Sequence, residues 1–247
     1  MIKRIAPDAE VIDITHGIAP HNVLQGALVL ASTVPFMPEG IHLAVVDPGV
    51  GSDRRAIALR GSEGRLYVGP DNGLLILAAD RLGGVEEAVE LVNPAYRLEP
   101  VAHTFHGRDV FAPASAHLAA GVELKELGPA IAAADLVRID VPTPSIGKRR
   151  IRATVLYVDR FGNVQLNLTR DDVAQVGIEA GSKLEVEVGF ERYYAVAART
   201  FAEVKGGDIV LYEDSYWNIS LAINRGSAAV MFGVGPGDEL KVSAAEW

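Results

Sequence analysis

Five short segments hold the residues that could do chemistry. The first, Asp47-Pro48-Gly49-Val50-Gly51-Ser52-Asp53-Arg54-Arg55, directly follows the apolar run Ile41 to Val46. Carboxyl ends of strands in open α/β sheets are where ligands usually bind. The glycines permit a sharp turn and close backbone approach, so Asp47 can fold back toward Arg54 at a strand end that reaches a cleft. A turn carrying a surface ion pair fits the same residues. The Gly-Val-Gly element lacks the third glycine of a dinucleotide fingerprint. The second segment is His103-Thr104-Phe105-His106-Gly107-Arg108-Asp109. Its His103, His106 and Asp109 could be read as metal ligands, but no further carboxylate or histidine run accompanies them, so hydrogen bonding is the favoured role and no metal is expected. Arg108 and Asp109 read first as the polar start of a helix, where the dipole favours an acidic group.

The remaining three read first as turns. Gly69-Pro70-Asp71-Asn72-Gly73 has the pattern of a turn that starts a helix, with Asp71 or Asn72 as cap. Asp159-Arg160-Phe161-Gly162-Asn163 has the composition of a hairpin turn between two strands. Asp214-Ser215-Tyr216-Trp217-Asn218 is an aromatic polar loop, either a stacking platform for a base or an ordinary turn.

The elements around these segments predict two domains. In the first half Val11 to Ile14, Ile41 to Val46, Ala56 to Leu59 and Leu66 to Val68 read as strands. Val23 to Ser32, opened by an Asn22/Gln25 capping box and stopped at Pro35, reads as a helix, as do Leu74 to Leu82 and Pro113 to Ala120. That alternation predicts an α/β domain over residues 1–140 with a Rossmann-like layered sheet. After a charged, proline-bearing connection from Asp140 to Arg150, residues 150–247 predict a smaller all-β barrel or sandwich. Its strands are Ile151 to Asp159, Val164 to Leu168, Lys183 to Val188, Tyr193 to Phe201, Ile209 to Tyr212, Ile219 to Asn224 and Ala228 to Phe232. Its one helix is Asp171 to Val176.

Composition narrows the function classes. At 247 residues and 49% apolar content the chain can bury a large core without staples. The net charge of -9, with basic residues scattered apart from Lys148-Arg149-Arg150, argues against a nucleic-acid partner. There is no cysteine, which rules out disulfides, thiolate metal sites and cysteine nucleophiles and suits the cytoplasm. Met1 to Glu10 lacks the apolar core of a signal peptide, and no apolar stretch approaches the roughly eighteen residues of a membrane span, so no membrane partner is expected.

Taken in order, the segments resemble the S-adenosylmethionine hydrolases of the fluorinase and chlorinase superfamily, also called SAM hydroxide adenosyltransferases. The matching text is Asp13-Ile14-Thr15-His16 with Pro20; Val45 to Gly51 with Arg54; Gly69 to Gly73; Thr104 to Asp109 followed by Ala112-Pro113; Asp159 to Asn163 with Asn167; and Ser215 with Asn224. It spans nearly the whole chain.

The resemblance implies hydrolysis of S-adenosyl-L-methionine, the (R)-sulfonium epimer being one candidate form, to adenosine and L-methionine, with no cofactor. It puts Asp47, Arg54 and His106 around the attacking water, and the residues leave open whether Asp47 or His106 is the base. It puts adenine and methionine contacts on Asp159, Asn163 and Ser215, with Phe161 and Tyr216 beside them, and makes Asn72 and Phe105 pocket residues as well; Asp47 counts as a substrate contact too. A homotrimer with active sites between subunits is also implied. Family members usually begin with a strand and an aspartate-bearing loop of the Thr-Asp-Tyr-Gly type, which this sequence lacks.

Two other activities compete. A SAM-dependent halogenase would need neutral donors around a desolvated halide, whereas Asp47 would repel an incoming anion. In the fluorinase-like branch a Tyr and a Ser stand where this chain has Asp47 and His106-Gly107. A catalytically inactive adenosine- or SAM-binding protein is the reading from another class, suggested by the absent opening segment.

Overall fold

A computed structural model describes residues 1–245; Glu246 and Trp247, which end the predicted second domain, lie outside the described residues. The chain divides into two compact units, Met1–Asp140 and Val141–Trp247.

The first unit is built on strands β1 (Ile41–Leu43), β2 (Ala56–Gly61), β3 (Leu66–Pro70) and β4 (Val85–Glu90), ordered β1-β3-β2-β4. β1 and β3 run parallel, while β2 is antiparallel to both β3 and β4. This corrects the expected Rossmann-like layered sheet. Parallel neighbours need a crossover of about a dozen residues or more, usually a helix. Here only residues 62–65 separate β2 from β3, and the Gly61 N–H bonded to the Arg65 carbonyl closes them into a hairpin.

Helices α1 (Ile2–Ile5), α2 (Val23–Thr33), α3 (Ile76–Arg81) and α4 (Ala112–Ala119) complete the unit. Successive residues of a strand point to opposite faces. Ile57 and Leu59 of β2 pack with Ala27, Leu30 and Leu75. Ala58 instead joins Val68, Phe111, Ala114 and Leu118. Asn22 caps α2 by accepting the Gln25 N–H at 2.9 Å, but the expected return bond of a capping box is replaced: Gln25 Oε1 accepts from Ala19. Val11 to Ile14, expected as a strand, is irregular and its apolar side chains are exposed. β-branched composition makes a strand only where a neighbouring edge supplies hydrogen bonds and packing.

The second unit is a closed barrel. Its strands are β5 (Ser145–Ile146), β6 (Arg150–Val158), β7 (Val164–Leu166), β8 (Lys183–Val188), β9 (Glu191–Ala197), β10 (Ile209–Glu213), β11 (Ile219–Ile223) and β12 (Glu239–Ala244). The order β12-β8-β9-β10-β11-β7-β6 closes through β12 pairing with β6, and β5 is added alongside β6. Closure removes the exposed edges of the seven strands. Inward residues such as Ile151, Leu166, Leu184, Val186, Leu221 and Val242 fill the core. α5 (Arg170–Gln175) opens with a complete Thr169/Asp172 capping box. Ala228 to Phe232, read as a strand from its apolar run, is helix α6 (Ala228–Phe232): Ser227 accepts the Val230 N–H and Gly233 ends it at φ 64°. A five-residue apolar run cannot separate the two periods, so its caps decide.

Candidate functional site

Asp47, Arg54 and His106 meet although they come from two distant stretches of chain. The Arg54 guanidinium grips Asp47 with two bonds, Nε to Oδ1 at 3.1 Å and Nη2 to Oδ2 at 2.6 Å. Nη2 also reaches His106 Nδ1 at 3.1 Å, and Nη1 donates to the Arg55 carbonyl at 2.9 Å. The side chains of Arg54 and Asp47 are 7% and 6% exposed, so this is a buried pair rather than the surface pair the turn reading allowed. Phe111 lies under the guanidinium, 5.4 Å from its carbon, and restrains it from the apolar side.

These bonds fix the proton on His106. A guanidinium can only donate, so Nδ1 is the acceptor and the neutral ring carries its hydrogen on Nε2. Burial, then the Arg54 charge, hold His106 below its ordinary value of 6.5, although Asp47 pulls the other way. The arrangement therefore combines a carboxyl group, a guanidinium and a neutral imidazole whose other nitrogen is a donor.

The backbone explains how two segments 52 residues apart stay in register. Gly51 has φ 82°, and a Cβ there would lie 2.8 Å from the His103 carbonyl oxygen, so the 47–54 turn and the 103–106 turn can touch only through a glycine. Asn72 donates to the Val46 carbonyl at 2.9 Å and accepts from Leu74, which ties the turn after β3 to the residue before Asp47. Its amide thus positions backbone. Asp109 is fully buried in a π-helical turn, Gly107–Phe111, that runs into α4. It accepts the Ala102 N–H at 2.9 Å and both Arg108 donors, and the Arg108 bond holds it below the usual carboxylate range. Rather than simply starting a helix, Asp109 clamps the loop that presents His106. Arg108 in turn lies 4.6 Å from the centre of the half-exposed Phe105 ring. Among the described residues no group of three or more His, Asp or Glu side chains is placed to hold a metal ion.

Asp47 opens onto a recess of about 370 Å³ that Thr15, His16, Ile18, Pro20, His21 and Val45 also line. His21 adopts φ 65°, a left-handed conformation uncommon for a side chain of this kind. Sequence reasoning assigned no role to His16 or His21; the Asp13-to-His16 segment with Pro20 was the signal that pointed there.

The second unit has its own recess, of about 270 Å³. Of the expected contacts Asp159, Asn163, Ser215 and Tyr216 line it, joined by Tyr157, Gln165, Tyr212, Asp214 and Ser220, to which no role was assigned. Phe161 is not among these lining side chains: it is 63% exposed, with the Arg160 guanidinium 4.8 Å from its ring centre. Asp159 accepts from the backbone of Phe161 and Asn163 and from the Asn163 amide, all at 2.8–2.9 Å. Asp214 does the same in its own turn, accepting from Tyr216 and Asn218 backbone, Gln165 and Ser220. Burial and the Asp214 and Asp159 charges push the Tyr212 hydroxyl up to about 12, and burial with its Tyr216 neighbour raises Tyr157 as well. Spacing was the one faint signal of the missed residues. Tyr157 with Asp159, Asn163 with Gln165, and Tyr212 with Asp214 are each two apart, the spacing that puts side chains on one face of a strand.

Comparison with known proteins gives a coherent picture. Residues 1–128 match the SAM hydroxide adenosyltransferase N-terminal domain model and residues 153–241 match the C-terminal domain model of the same family. An (R)-S-adenosyl-L-methionine hydrolase of Salinispora tropica is 47% identical over 99% of this chain and 90% of its own length. A fluorinase of Nocardia brasiliensis is 29% identical, covering 98% of this chain and 89% of its own. The crystal structure of an uncharacterized conserved protein from Thermotoga maritima superimposes with a TM-score of 0.89 at 34% identity, over 98% of this chain and 92% of that one.

Proposed function

Because the chain belongs to the SAM hydroxide adenosyltransferase family, with domain models matching residues 1–128 and 153–241, we propose that it hydrolyses S-adenosyl-L-methionine to adenosine and L-methionine. The (R)-sulfonium epimer, named for the Salinispora relative, is assigned as its substrate. The observation that carries the reaction type is the Arg54 fork that grips the Asp47 carboxyl group and reaches a neutral His106.

The sulfonium is already a good leaving group, so the enzyme's task is to place water in line with ribose C5′ and sulfur, an alignment worth roughly 7–11 kcal/mol in favourable cases. With Nδ1 occupied by Arg54, His106 offers Nε2–H to orient a water or ribose oxygen, while Asp47 keeps lone pairs free to accept a water proton. This arrangement supports Asp47 as the base and His106 as the orienting group. The water oxygen bonds to C5′, the C5′–S bond breaks with its electron pair going to sulfur, and the water proton passes through Asp47 to solvent. No cofactor takes part.

A buried carboxylate also disfavours halide as nucleophile, since an incoming anion would be repelled while neutral water is not. We assign catalysis to the first unit and substrate contacts to the second, in a cytoplasmic homotrimer. Reaction in ¹⁸O-labelled water with excess chloride tests the reading. The expected product is adenosine carrying one label at its 5′-oxygen. Formation of 5′-chloro-5′-deoxyadenosine at a comparable rate, or absence of turnover with either epimer, would overturn it. Sedimentation equilibrium checks the trimer; a monomer that still turns over would refute it.

A further inference from the structure

Among the described residues that line the recess of the second unit, Gln165 alone has a buried side-chain atom left without a hydrogen-bond partner. It sits on β7 between Val164 and Leu166, which face the barrel core, so its own side chain is directed the other way. It is 3% exposed, yet its Oε1 is buried without a hydrogen-bond partner. The orientation of the amide is fixed, because Nε2 donates to Asp214 Oδ2 at 2.7 Å and a carboxylate can only accept. Ser220, paired with Gln165 across β7 and β11, donates to the same Asp214 oxygen at 2.8 Å. A buried acceptor left unpaired is costly, and such atoms are normally satisfied by a ligand or an ordered water.

The surroundings select the donor. Asp159 and Asp214 both line this recess, and no lysine, arginine or histidine is among its lining residues. Their field is felt by the Tyr157 and Tyr212 hydroxyls. The occupant should therefore bring positive charge and an N–H. In the substrate proposed above, the sulfonium has charge but no hydrogen to donate, and the adenine amine has hydrogens but no charge. The α-ammonium of the methionine half has both.

We propose that the Gln165 carboxamide oxygen accepts a hydrogen bond from the substrate's α-ammonium and so determines specificity for the amino-acid half of the substrate. This rests on the proposed hydrolysis only for the identity of the ligand. Gln165 touches no reacting atom, so its effect belongs in KM.

Gln165→Leu should raise KM for S-adenosyl-L-methionine about tenfold or more, the usual effect of losing a hydrogen bond to a charged group, with kcat nearly unchanged. For a sulfonium analogue lacking the α-amino group the same substitution should leave KM unaltered. Equal losses on both substrates, or no loss on either, would overturn the proposal. Calorimetric titration of the unmodified protein, saturated with adenosine, provides a readout that needs neither turnover nor a folded variant. Methionine should bind at least about tenfold more tightly than 4-methylthiobutanoate, its deaminated analogue. Equal affinities would refute the ammonium assignment, whereas preferential methionine binding without hydrolysis would refute only the reaction.

Discussion

Both recesses are lined by aspartates, yet they hold them in opposite ways. Asp47 is held by a guanidinium that simultaneously fixes an imidazole, so its charge is partly offset inside the protein and the carboxylate keeps a defined direction. Asp159 and Asp214 are held by backbone N–H groups and neutral side chains, which satisfy their geometry and leave their charge. The first arrangement suits proton handling at a reacting atom; the second suits holding a cation. The same residue type thus meets two different environments, and the partner decides which chemistry each suits.

That contrast predicts that changes in the first unit act on kcat and on stability, and changes in the second on KM. The largest effect is expected for Asp47→Asn and His106→Ala, which should lower kcat by about 10²- to 10⁴-fold, the usual range for a positioned proton-transfer group. Circular dichroism should show both variants folded; a variant that turned over normally would remove its residue from the chemistry. Arg54→Ala leaves Asp47 buried and unpaired, and should cost about 3–5 kcal/mol of stability in urea unfolding. A loss below about 1 kcal/mol would mean the pair behaves as an exposed one.

Gly51→Ala tests the contact between the two turns. It combines an unfavourable positive φ with a Cβ at 2.8 Å from a backbone oxygen, and should cost about 1–3 kcal/mol together with some kcat, because His106 is displaced. Asp159→Ala in the other recess should raise KM about tenfold and leave kcat within about twofold, the signature of lost ground-state binding. If kcat fell as strongly as for Asp47→Asn, the division of labour between the units would be wrong.

The smallest effect concerns pH. His42, His106 and His117 are all lowered from 6.5, chiefly by burial, so their folded forms resist protonation. The unfolded chain then binds more protons between that value and the lowered ones. Their contribution to stability is complete above pH 6.5 and is lost as pH falls below it. Replacing His117 by Gln should flatten the melting temperature's decline over that acid range; an unaltered slope would show that this histidine does not contribute.

Much of this was legible in the chain itself. The Asp47 and His106 segments, the turn at Asp159 to Asn163 and the order of all the motifs could be read directly, because turns and strand ends need particular residues at fixed offsets. Gln165 and Asp214 were not, since a glutamine in an apolar strand and an aspartate in a turn look ordinary until a barrel brings their strands together. The Rossmann-like sheet failed for a related reason: apolar runs mark strands without saying which neighbour each will pair with, and the short connection from Gly61 to Leu66 made a hairpin.

The sequence by itself determined which residue types stand at the turns and where most strands and helices run. Tertiary structure alone decided that Arg54 would bond to both Asp47 and His106, that Nδ1 rather than Nε2 would be the occupied nitrogen, and that Ala228 to Phe232 would coil. The physical reason is the same each time. Local propensity is a property of a few neighbouring residues, whereas a hydrogen bond across 52 positions, or the burial that shifts a histidine, exists only once the chain has closed on itself.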